Sequence, residues 1–171
     1  MHRISTFLLI LLYAPVSFAQ EANPEDVSSP DAIVQTLYDV ISTPAGEAPD
    51  WERWRTLFIP EARLIAISSN DTGSNSYFTW TSEEYIEQTG DYFRENPFFE
   101  VEVSQTSERF GNLVHRFSTY ESYRALGLEP FSRGINSIQL LHMEDRWWIV
   151  TIFWQSESEN IPLPEKYLSR E

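Results

Sequence analysis

The chain has 171 residues, a formal net charge of −14, no Cys and 15% aromatic residues. Such acidity excludes nucleic acid, which is bound by clustered Lys and Arg, and also disfavours anionic membrane surfaces. Without Cys, thiol nucleophiles and disulfide staples are ruled out, and the lone Lys166 leaves Schiff-base and P-loop chemistry almost without a candidate.

Residues 1 to 19 read as a cleavable export signal. His2 and Arg3 precede an apolar run from Phe7 to Tyr13, Pro15 breaks it, and Ser17-Phe18-Ala19 follows. Small residues at −3 and −1 place cleavage between Ala19 and Gln20. The run is about half the roughly 20 residues of a membrane span, so no permanent anchor is expected. The remaining chain, about 150 residues, suits one core. The expected product is periplasmic or extracellular, and Asn70-Asp71-Thr72 is a glycosylation acceptor by pattern.

Residues 20 to 28 are polar and read as a flexible leader, with a single domain over 29 to 171. Ser29-Pro30-Asp31 supplies an N-cap, a Pro at the first helical position and an acid in the first turn. Ile33, Val34, Leu37, Tyr38 and Ile41 then recur at helical spacing. Asp50 caps a second helix that carries Trp51, Trp54, Leu57 and Phe58 and stops at Pro60. A strand over Arg63 to Ser68, a loop over Ser69 to Ser76 and a short strand over Tyr77 to Trp80 come next. Thr81-Ser82-Glu83-Glu84 is a capping box that opens a third helix, with Tyr85, Ile86, Thr89 and Phe93 inward. Four strands of period two follow, over Phe98 to Glu108, Leu113 to Tyr123, Phe131 to Met143 and Arg146 to Ser156. Gly111-Asn112 and Glu144-Asp145 supply hairpin turns.

Helices followed by a long antiparallel sheet indicate an α+β fold. The segment Trp54-Arg55-Thr56-Leu57-Phe58-Ile59-Pro60-Glu61-Ala62 resembles the W-x-x-L-F-x-x-x-A of the NTF2-like superfamily. Glu144-Asp145-Arg146-Trp147-Trp148-Ile149 resembles its D-G-x-W-x-I hairpin, with Asp145 at the Gly position. The order of elements over residues 30 to 156 is similar to the SnoaL-like bacterial branch. That resemblance implies a strongly curved antiparallel sheet around N-terminal helices, a cone with a pocket. It also implies a choice among isomerases, hydro-lyases and noncatalytic binding or assembly domains. In the ketosteroid-isomerase-like members a general-base Asp follows the F-x-x-x-A segment, and here Ala66 stands at that position. Alanine moves no proton, so the resemblance does not carry the isomerase mechanism over, and no catalytic residue is assigned.

Other chemistry is sparse. His115, expected opposite Glu108, and His142, opposite Trp147, are too far from partners for a dyad or a metal site. An unbroken hairpin ladder would set Glu102 against Glu121, which reads as a solvated strand face or as a coupled acid pair. Strict alternation puts Asn136, Trp147, Ile149 and Thr151 on one face of the last two strands and Trp148 and Trp154 on the other. Both faces are apolar, so both need cover. The resemblance implies that the face with Trp147 and Ile149 turns into the cone, which makes Tyr38, Trp54, Asn136 and Thr151 the candidate pocket. Trp148 and Trp154 are the candidate homodimer interface, with cover by the tail from Ile161 to Leu168 as the alternative. The resulting expectation is noncatalytic binding of a small apolar molecule, without cofactor or metal. A SnoaL-like isomerase or hydro-lyase and a dimerising assembly module are the alternatives.

Overall fold

The computed structural model of the protein describes residues 21–69 and 74–168. The expected signal segment and the Asn70 acceptor lie outside the described residues. Three helices, α1 (Pro30–Ile41), α2 (Trp51–Arg55) and α3 (Ser82–Glu95), combine with six strands. These are β1 (Phe58–Ser69), β2 (Asn75–Trp80), β3 (Phe99–Phe110), β4 (Leu113–Tyr123), β5 (Ser132–Met143) and β6 (Arg146–Ser156). They form one curved, unclosed sheet in the order β2-β1-β6-β5-β4-β3. The fold is α+β with the helices on the inner side of the sheet. Among the described residues no helix is long and apolar enough to cross a membrane.

Local chemistry sets the helix starts. Ser29 accepts the backbone N–H of Ala32, Asp50 that of Arg53, and Thr81 that of Glu84. The Glu84 side chain accepts the Thr81 N–H in return, completing the expected capping box. Each bond satisfies an amide left open by the first helical turn. The inner face of α1 buries Ile33, Val34, Leu37 and Tyr38 against Leu57, Leu64, Ile138, Leu140 and Ile149 of the sheet side.

Four features depart from expectation. The leader is docked: Pro24–Val27 forms a 3-10 helix with Val27 buried, and Asp26 takes two 2.7 Å hydrogen bonds from Arg53. A polar segment this short has no periodicity to announce that contact. The second helix ends at Arg55, and β1 begins at Phe58 and runs through Pro60. Pro60 is tolerated because the β1–β6 register breaks between Phe58 and Arg63, where its missing N–H interrupts no ladder bond. The expected antiparallel sheet is mixed, since β1 and β6 run parallel.

The fourth departure governs the site. Glu102 pairs with Tyr120 and Ser104 with Thr119, so β3 holds one extra residue, Val103. Gln139 pairs with Thr151 and Leu140 with Ile149, so β6 holds one extra residue, Val150. These are β-bulges, and each reverses which face the following side chains occupy.

Candidate functional site

Between α1, α3 and the inner face of the sheet lies a cavity of about 290 Å³. Its wall is largely aromatic. Trp54 stacks on Tyr85 at 5.3 Å, Trp80 lies nearly parallel to Trp154 at 6.1 Å, and Tyr85 meets Trp154 edge-on at 6.3 Å. Phe93 and Phe98, 5.1 Å apart, continue the wall toward Phe131. The Trp54 indole N–H donates to Ser82 Oγ at 2.8 Å, which ties α2 to the start of α3.

The polar end is built around Glu100 of β3. Ser122 Oγ, directly across the ladder, donates to Glu100 Oε2 at 2.8 Å. Asn136 Nδ2 donates to Tyr38 Oη at 3.0 Å and reaches Glu100 Oε1 at 3.5 Å. Accepting from Asn136 leaves the Tyr38 hydroxyl to share its proton with Ser118 Oγ at 2.6 Å. Ser42 Oγ accepts the Glu100 backbone N–H at 3.0 Å, so the C-terminal end of α1 holds this residue in place. Tyr120 and Ser156 form a second hydroxyl pair at 2.9 Å.

Burial removes water from the Glu100 carboxylate and raises its pKa to about 7, although the bonds from Ser122 and Asn136 pull the other way. Burial also pushes the Tyr38, Tyr85 and Tyr120 hydroxyls above their ordinary range, with the nearby Glu100 adding to each. The three phenols therefore stay neutral hydrogen-bonding groups at physiological pH. Among the described residues, Glu100 is the only carboxylate on the wall, and no Lys, Arg or His lines it.

Of the expected pocket residues, Tyr38 lies behind the wall with its hydroxyl bonded to Asn136, while Trp54 and Asn136 line this space. Thr151 does not. It follows the Val150 bulge and pairs with Gln139 and Arg63 on the outer face. The same bulge moves Trp154 from the expected interface to the cavity wall, beside Trp80 and Tyr85. Trp148 precedes the bulge and remains outside, with the Arg146 guanidinium 3.6 Å over its ring. Ala66 pairs with Trp154 and Phe78 on the inner side.

Bulging at Val103 also separates the expected glutamate pair. Glu102 receives two hydrogen bonds from buried Arg116, which also bonds Asp31, while Glu121 accepts from Tyr123. The two glutamates therefore form no pair: Glu102 faces inward to Arg116, while Glu121 stays on the outer face opposite exposed Val101. His115 bonds Ser137 at 2.8 Å on the outer face, and His142 lies against Trp147.

Sequence reasoning overlooked Glu100. The one available signal was its place at the start of a strand whose neighbouring residues Phe98, Phe99 and Val101 are apolar. A carboxylate there needs a polar partner or a wet cleft. The outer face is covered in part by the tail. Thr119 Oγ1 donates to the Tyr167 carbonyl at 2.7 Å, Tyr167 stacks on Phe117, and Ile161 to Pro164 wall a groove with Ile67, Ile135 and Phe153.

No family model and no curated protein matches the chain. Solved structures do. An NTF-2 like protein of unknown function from Silicibacter pomeroyi is similar at 16% identity, over 74% of this chain and 92% of that one, with a TM-score of 0.50. A protein of unknown function with a cystatin-like fold from Nostoc punctiforme aligns at 9% identity over 74% and 87%, with a TM-score of 0.56. A protein of unknown function from Mycobacterium tuberculosis aligns at 13% identity over 80% and 72%, also at 0.56. At such identities the likeness establishes the fold and nothing finer.

Proposed function

We propose that this chain, which has the NTF2-like fold, binds a small, mostly apolar molecule in the cavity between α1, α3 and the sheet. The observation that carries this reading is an aromatic-walled space of about 290 Å³ with its polar groups gathered at one end. Largely apolar pockets with a few convergent polar groups are the usual form of small-molecule sites. Aromatic and aliphatic walls supply affinity, and Glu100 and Asn136 orient the ligand. The test is native mass spectrometry of the protein taken from cells, followed by calorimetry with a panel of small apolar compounds such as toluene, indole and cyclohexanol. A co-purifying mass or saturable binding is expected. Failure of every compound, with no co-purifying mass, overturns the reading.

One observation favours a second reading, proton transfer. A carboxyl that titrates near 7 both accepts and donates protons at physiological pH, as a general base and acid must. Glu100 then does the work that the resemblance places at Ala66, from a different strand. Deuterium uptake from heavy water into a bound ligand carbon, lost in Glu100→Gln, supports this reading. Uptake unaffected by the substitution removes it.

Export and pairing belong to the same proposal. The mature chain, cut after Ala19, acts outside the cytoplasm as a homodimer. Phe110, Leu113, Leu141 and Trp148 are cross-strand neighbours in one outer row, and they support a pairing surface. N-terminal sequencing of the envelope protein and its sedimentation check the two points. An uncut or monomeric protein overturns the corresponding one.

A further inference from the structure

We propose that the ligand of this cavity is a small organic cation, an alkylated ammonium held by the aromatic wall and by the carboxylate of Glu100. The inference rests on reading the cavity as a ligand site, and it adds the charge and class of the occupant.

Three observations converge. The rings of Trp54, Trp80, Tyr85 and Trp154 line one space, and an aromatic face attracts a cation through its quadrupole, Trp most strongly. Among the described residues the cavity wall holds one carboxylate, Glu100, and no cationic side chain, so a positive ligand meets a counter-charge there. The wall's own behaviour agrees: the Arg124 guanidinium lies 4.1 Å over the ring of Phe131 and 5.7 Å from that of Tyr92, both cavity-wall residues.

The other ligand charges fit worse. An anion would face Glu100 with nothing to neutralise either charge. A purely apolar neutral molecule would lie against the carboxyl and offer it neither a hydrogen bond nor a counter-charge. A primary ammonium needs several acceptors, whereas Glu100 already accepts from Ser122 and Asn136. An alkylated ammonium needs few or none, and its methyl groups suit ring walls. The net charge of −14 draws cations toward the molecule from a distance.

Three isosteres separate charge from shape: choline, 3,3-dimethylbutan-1-ol and 3,3-dimethylbutanoate. Calorimetry with the full chain at pH 8 reads their affinities, and the indole N–H resonances of Trp80 and Trp154 locate the binding. Choline is expected to bind roughly ten-fold tighter than the alcohol, the gain from a desolvated cation–π site, and the carboxylate not at all. In Glu100→Gln the preference for choline over the alcohol should shrink several-fold while the alcohol still binds. Equal affinity for choline and the alcohol overturns the cation inference and leaves the ligand site standing. So does an absence of choline binding when toluene or indole binds. If no member of either panel binds, both readings fall together.

Discussion

At the scale of single residues, Glu100 carries the chemistry. Its folded-state pKa of about 7 stands above the ordinary 4.5 because burial penalises the carboxylate. A group raised in this way favours the folded state fully below its unfolded pKa. That contribution is lost as pH rises through about 7. The groups facing it are Ser122, Asn136 and the hydroxyls of Tyr38, Tyr85 and Tyr120, none of them cationic. Glu100→Gln is therefore expected to be more stable than the parent at pH 8, by on the order of 1–3 kcal/mol, with the difference shrinking toward pH 5. Urea unfolding of both proteins across that range checks the sign. The charge that lowers stability at high pH is the one a bound cation would neutralise.

Three backbone positions decide how the elements meet. Glu144 and Asp145 of the β5–β6 turn both take positive φ, 55° and 61°, a region that costs ordinary side chains strain. Asp145→Gly restores the residue such turns prefer and should stabilise by about 0.5–1 kcal/mol, read as a higher thermal midpoint. Gly134 is tight for a different reason. A Cβ there would come within 2.3 Å of the Gln155 carbonyl oxygen and 2.7 Å of the Tyr120 hydroxyl. Gly134→Ala must push β5 from β6 or break the Tyr120–Ser156 pair, and a loss of about 1–3 kcal/mol is expected in chemical unfolding. The starts of α1, α2 and α3 were legible because caps are local: a side-chain oxygen meets an amide two or three residues on. The end of α2 was not. Trp54, Leu57 and Phe58 suit a helix face as well as a strand start, and only pairing beside Ile149 selects the strand for Phe58.

For the whole molecule, buried Arg116 is the main cross-tie. It bonds Glu102 of β3 and Asp31 at the start of α1 from its place on β4, and so fastens the helix layer to the sheet. Glu102→Ala leaves a buried guanidinium with only an exposed partner. We expect a loss of about 3 kcal/mol, measured by urea unfolding, because breaking one side of a buried pair strands the other charge. Glu102→Gln, which keeps hydrogen-bonding capacity, should cost less.

Composition, capping and periodicity were enough for the sequence to determine the α+β class and the order of its elements, and the resemblance pointed to two of the cavity-wall residues, Trp54 and Asn136. These depend on short-range rules and on which side chains avoid water. The sequence did not determine the parallel β1–β6 pairing, the docking of Asp26 on Arg53, or the place of Glu100. Above all, it did not determine the faces of β3 and β6. Alternation along a strand has period two, so one extra residue, Val103 or Val150, exchanges inside and outside for everything beyond it. Nothing in the local sequence marks either Val as that residue. Packing of the two curved halves against α1 and α3 selects it, and so only the tertiary structure decided that Trp154 faces the cavity and Thr151 does not.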